Sequence, residues 1–195
     1  MSQVAVRASA WFILTSSTSV STQLEQAYTE DTGEKLSHNQ FLKMVTEFVF
    51  LLVHVSDREA IETLGPRDSA RFIVLLVADL NRLGTQLPMT DEHPVPAFVK
   101  DSSGITVVGL NIDLLNARQH EYVSYPLFAA ENAPLRGTLF WEFGRHVEAV
   151  FRDCPMVRVL AQPLASGLAV NLTELLLKQF KTFLCEDPLF RDQRL

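Results

Sequence analysis

The stretch Phe48-Val-Phe-Leu-Leu-Val53, preceded by Glu47 and closed by His54, decides the fold. Six consecutive apolar residues must be covered by lipid, by the chain's own core, by a partner or by a ligand. Lipid is excluded. A membrane-spanning helix needs about 20 predominantly apolar residues, and here Thr46 and Glu47 cut the window on one side and His54, Ser56, Asp57 and Arg58 on the other. A second run, Phe72-Ile-Val-Leu-Leu-Val-Ala78, is bracketed by Arg71 and Asp79 and fails the same test.

Outward from this stretch the signals are helical. Ser37-His-Asn-Gln40 forms a capping box, in which hydroxyl and amide satisfy backbone groups at a helix start, and it predicts a helix from about His38 to Val55. Ser56-Asp-Arg-Glu59 repeats the pattern and predicts a restarted short helix that ends at Leu64, with Gly65 as its stop. Pro66 suits a first helical turn, so the next helix runs from Pro66 to Leu83, ended by Gly84. Upstream, Asp31-Thr-Gly33 marks a turn, and residues 4–29 read as helix for most of their length despite a Ser/Thr-rich run.

Downstream, Pro88, Pro94 and Pro96 forbid a continuous helix. Ala97-Phe-Val-Lys100 and Ile105-Thr-Val-Val108 flank Asp101-Ser-Ser-Gly104, which predicts a small β-hairpin over 97–108. Asn111 caps a helix from Ile112 to about Tyr122. Leu139, Phe140, Phe143, Val147, Val150 and Phe151 recur at spacings of three and four and define a helical face. Two further helical pieces follow, one from near Pro155 and one from about Asn171 to Leu184. The expected fold is mainly α: one multi-helix bundle over residues 1–195, with a possible hairpin and no internal repeat.

A chain of 195 residues is long enough to bury a core without disulfides or metal. Its 47% hydrophobic and 21% charged residues match ordinary globular composition and give no sign of disorder. The net charge of −6, with 17 scattered basic residues, argues against nucleic acid and anionic membrane surfaces, which need clustered Lys and Arg. Cys154 and Cys185 lack any ligand spacing and read as two buried thiols, or as a disulfide if the protein is exported. The apolar patch Trp11-Phe-Ile-Leu14 is shorter than the roughly 7 residues of a signal core, so a cytoplasmic location is the default.

Two helices carry an apolar surplus. In the helix from His38, the polar positions Lys43, Glu47 and His54 share a face, and Phe50 fills the gap between Glu47 and His54. In the helix from Pro66, Arg67, Arg71, Asp79 and Arg82 mark the polar stripe, with Leu75 in its middle. A large apolar group at the centre of a wet face is explained either by a helix central to the bundle and covered by its own chain or by a partner subunit. Two such helices favour a homo-oligomer, most often a dimer, with Phe50 and Leu75 as interface candidates.

The best chemical constellation is Trp141-Glu142-Phe-Gly-Arg145-His146-Val-Glu148. Glu142 and His146 are four apart on one face, as two metal ligands would be, and Glu47 and His54 are candidates to complete the set from another helix. The competing expectation is a solvated face with pairs from Glu142 to Arg145 and from Glu148 to Arg152. Glu47 and Asp79, acids within apolar runs, are further candidates for proton transfer. Asp91-Glu-His93 lies in a loop that is either plain surface or a lid. Leu164-Ala-Ser166-Gly167 lacks the strand-to-helix setting of a nucleophile elbow, and no phosphate-binding or dinucleotide motif occurs. Function is therefore expected to be that of a non-catalytic, oligomeric interaction or regulatory protein. The alternative is an enzyme or carrier that binds a small-molecule ligand or metal between helices; no particular cofactor is implied.

Overall fold

The computed structural model describes residues 3–86, 110–127, 136–151 and 155–186. They form six helices and no strand: α1 (Gln3–Thr32), α2 (His38–Leu64), α3 (Pro66–Gln86), α4 (Ile112–Tyr122), α5 (Leu139–Val150) and α6 (Pro155–Glu186). The fold is mainly α, consistent with a helical bundle. The hairpin expected over 97–108, the Asp91-Glu-His93 loop and the side chains of both cysteines lie outside the described residues.

Helix α1 satisfies part of its hydroxyl content by local bonding. The hydroxyls of Thr15, Thr22, Thr29 and Thr32 donate to the carbonyls of Trp11, Thr18, Glu25 and Tyr28, each four residues earlier. Such back-bonding lets hydroxyl residues sit inside a helix instead of competing with it. The start of α2 is capped as expected: the Ser37 N–H donates to Gln40 Oε1 at 3.0 Å, and Ser37 Oγ accepts from the Gln40 N–H at 3.3 Å.

Three boundaries differ from expectation, one of them the end of α3, which runs past Gly84 to Gln86. Ser56 does not restart a helix, because α2 runs unbroken to Leu64. The Ser56 hydroxyl is buried and donates back to the Leu52 carbonyl at 2.8 Å, while the Asp57 carboxylate accepts from Ser69 Oγ of α3 at 2.8 Å. Both polar groups thus have partners other than cap donors. Gly65 then stops the helix at φ +80°, the left-handed geometry that costs an L side chain about 1–2 kcal/mol.

The two pieces expected after Pro155 are likewise one helix, α6, which contains Pro163. Pro163 and Gly167 both lie on its exposed side, where water can meet the carbonyl that proline leaves without a donor. On the opposite side Ala161, Ala165 and Ala169 are buried at intervals of four. Packing on that small-residue face outweighs the local tendency to break.

The chain divides into two compact units, each assembled from separate stretches of sequence. The first comprises Met1–Ser16, Leu52–Leu110 and Thr173–Leu195. In it the Asp57–Ser69 bond ties α2 to α3, and Phe72 meets Phe180 of α6 edge-on, with centroids 5.2 Å apart. Asn81 Oδ1 accepts from the Leu110 N–H at 2.8 Å and so anchors the chain ahead of α4. The second unit comprises Ser17–Leu51 and Asn111–Leu172.

Within the second unit, Phe48 of α2 packs on Phe143 of α5 at 4.8 Å, and Tyr28 of α1 on Phe151 at 5.5 Å. Gln40 Nε2 donates to the Val150 carbonyl at 3.2 Å, joining the start of α2 to the end of α5. Gly144 lets α5 and α6 approach closely. A Cβ there would meet Ser166 Oγ, and would lie 2.9 Å from both Cγ and the carbonyl oxygen of Gln162. Ser166 Oγ in turn donates to the Phe140 carbonyl at 2.9 Å.

Candidate functional site

The stretch that opened the question is buried throughout: none of Phe48 to Val53 is more than 3% exposed. Phe50, expected at a dimer interface, is fully buried and so cannot face a partner. The reason is that α2 has no wet face at this level. Lys43 is exposed, but Glu47 and His54, which had defined that face, are themselves buried. Leu75 is half-buried, and it is the adjacent Val74 that stands 70% exposed.

Burying Glu47 requires a cation, since an isolated carboxylate in a core is prohibitively costly. Helix α4 supplies it. Asn111 caps α4 by accepting from the Leu114 N–H at 3.1 Å, and the helix presents Arg118, Gln119, Glu121 and Tyr122 from its last turns. Arg118 grips Glu47 with two bonds, Nε to Oε2 at 2.9 Å and Nη2 to Oε1 at 2.8 Å. Gln119 Nε2 donates to the Phe50 carbonyl at 3.2 Å, so two consecutive residues of α4 fasten it to α2.

The chain of charge continues. Arg118 Nη1 lies 3.4 Å from Glu121 Oε2, and the other oxygen of Glu121 is 2.9 Å from His146 Nε2 on α5. Acid and base therefore alternate from Glu47 through Arg118 and Glu121 to His146, linking α2, α4 and α5. The Tyr122 ring stacks obliquely near His146, with centroids 6.0 Å apart.

The electrostatics follow from burial and pairing. Hydrogen bonding to Glu47 holds the Arg118 guanidinium above its already high pKa, against the opposing effect of burial. Burial raises the Tyr122 phenol well above its usual range, and the nearby Glu47 charge raises it further. Tyr122 therefore stays protonated and Arg118 charged at any physiological pH.

Of the four ligand candidates, Glu47 and His146 are joined through this network, each facing an opposite or protonatable partner. Glu142 instead accepts from Arg145 Nη1 at 2.9 Å, the i to i+3 pair expected of a solvated face, although Glu142 itself is largely covered. His54 is buried and belongs to the first unit. Among the described residues no three metal-ligating side chains converge. Asp79 pairs with Arg82 at 2.7 Å on α3.

Arg118, Glu121 and Tyr122 were not singled out from sequence. The available signal was indirect: an acid amid apolar neighbours demands a cation, and Arg118 with Glu121 at i and i+3 is one of few such pairs in the chain. As arranged, every carboxylate of the network has a cation or imidazole against it. The network fastens three helices and leaves no carboxylate bare to act on a substrate.

Outside the network, the described residues shape at least two concavities open to ligands or partners. One lies in the first unit, about 470 Å³, lined by Gln3, Val4, Arg7, Ala8 and Trp11 of α1 and by Leu83 of α3. The other lies in the second unit, about 340 Å³, between the end of α1 and Phe151, Ala161 and Leu164. No helix among the described residues is long and apolar enough to cross a membrane. Comparison with known protein families, with curated proteins and with solved structures found no match.

Proposed function

We propose that the chain is a non-catalytic helical interaction protein that pairs with a second copy of itself through the start of α1. The observation that carries this reading is an apolar stripe left open to water: Val4 is 77% and Trp11 49% exposed, beside the groove that they form with Ala8 and Leu83. Large apolar side chains at helical spacing on one exposed face mark a surface built to be covered.

The spacing favours a second copy as the cover. Val4, Ala8 and Trp11 stand at i, i+4 and i+7, with the smallest residue central. An antiparallel twofold pairing centred on Ala8 sets Trp11 of each copy opposite Val4 of the other, bulky against modest, with the backbones closest at the two alanines. Arg7 is the charged residue among the described ones lining the groove, and it suits a partner whose net charge is −6. Trp and Arg are also the residue types that most often dominate interface energy.

Light scattering coupled to size exclusion tests the reading. Wild type should run as a dimer at micromolar concentration, and both Trp11→Glu and Val4→Lys should run as monomers with unchanged helicity. Val4 lies in the first turn and is mostly exposed, so its substitution spares the fold. A wild-type monomer at high micromolar concentration overturns the proposal, as does a dimer that survives both substitutions.

A further inference from the structure

Beyond pairing, we infer that the cavity at the end of α1 binds a small amphiphilic cation, an alkyl- or arylammonium whose apolar body lies inside and whose charge sits at the mouth. Its volume of about 340 Å³ falls within the range of small-molecule sites, which are concave and mostly apolar with a few polar groups. The inner wall is Leu24, Tyr28, Phe151, Ala161 and Leu164. The tilted Tyr28 and Phe151 rings, 5.5 Å apart, give it a rigid aromatic side. Leu164 remains 47% exposed there, an apolar group that an occupant would cover.

The charge at the mouth is negative from two sources. Glu30 and Asp31 line the cavity from the last turn of α1, and neither is paired with a cation among the described residues. Glu30 accepts only an amide hydrogen bond from Gln26, at 2.9 Å. A helix C-terminus also carries a partial negative charge that is ordinarily met by Lys or Arg, yet the last turn of α1 has no basic residue. A ligand ammonium meets this negative charge, while its hydrocarbon gains the burial that the cavity wall offers. An anionic amphiphile of the same body would meet two carboxylates and the helix end.

Titration calorimetry with octylammonium below its micellar range, against octan-1-ol of the same chain length, tests the inference. The ammonium should bind roughly fivefold more tightly than the alcohol, the scale set by two exposed carboxylates and a helix end. Glu30→Gln/Asp31→Asn should erase that preference and keep alcohol binding. Glu62→Gln/Glu174→Gln, an equal change in net charge at exposed sites, should preserve it. Ala27→Phe, which fills the cavity from an exposed position, should abolish binding of both probes. The inference falls if the ammonium binds no better than the alcohol, if neither binds, if the preference survives loss of Glu30 and Asp31, or if Ala27→Phe leaves binding intact.

Discussion

Truncating Arg118 to alanine leaves Glu47 with no cation in a site where the two side chains are only 11% and 19% exposed, the acid the more covered. Two opposite charges about 4 Å apart attract by about 4 kcal/mol at an effective dielectric of about 20. Desolvation of both ions offsets most of that, so the intact pair adds little net stability. The loss on breaking it is larger, because one charge stays buried alone, and it amounts to about 3–5 kcal/mol. In a chain of this size each kcal/mol moves the melting temperature by about 2–4 °C, so Arg118→Ala should melt about 6–20 °C lower. Glu121 softens the mirror-image Glu47→Met variant, since it lies 3.4 Å from Arg118 and keeps that cation partly paired. The double variant Glu47→Met/Arg118→Ala buries no lone charge, and Glu121 keeps His146, so it should lose less than either single variant. Urea titrations by circular dichroism on the four proteins form a double-mutant cycle. A loss below about 1 kcal/mol for Arg118→Ala, or strict additivity in the double variant, would refute the reasoning and leave the pair as a water-screened contact.

Gly144→Ala should destabilise by about 1–3 kcal/mol, since its methyl group collides with Ser166 and with the Gln162 backbone; the midpoint of urea unfolding measures it. Tyr122 provides a pH test. Its folded-state pKa is raised, so its contribution is fully present below the unfolded pKa of about 10 and is lost as pH rises beyond it. Tyr122→Phe should therefore flatten the alkaline fall of the melting temperature relative to wild type, and parallel alkaline limbs would count against a buried phenol.

How much was legible in sequence depended on whether the deciding interaction was local. Asn111 and Ser37 were readable as caps because their partners lie three residues away. Ser56 carries the same capping pattern and is no cap, because a hydroxyl with a helical turn already behind it can donate to Leu52 instead. The continuity of α6 through Pro163 depends on Ala161, Ala165 and Ala169 finding a tight surface, which no window of α6 reveals. At the site, Glu47 and His146 stood out as polar groups in apolar helices. Their partners did not, because pairing Glu47 with Arg118, 71 positions away, depends on which helices adjoin.

The same distinction explains where the apolar surplus went. Assigning Phe50 to a wet face assumed that Glu47 and His54 mark water, and burial of both removes the face together with the argument. On α3 the excess is real but sits one residue earlier, at Val74, a displacement of about 100° around a helix. A further surplus is on α1, where Val4 and Trp11 stand exposed to either side of Ala8. Charge that might have been taken for chemistry joins α2, α4 and α5, while α1 carries open groups at both ends: apolar at its start, acidic at its end. The interaction and ligand proposals rest on these different stretches, in different units, and either can fail while the other stands.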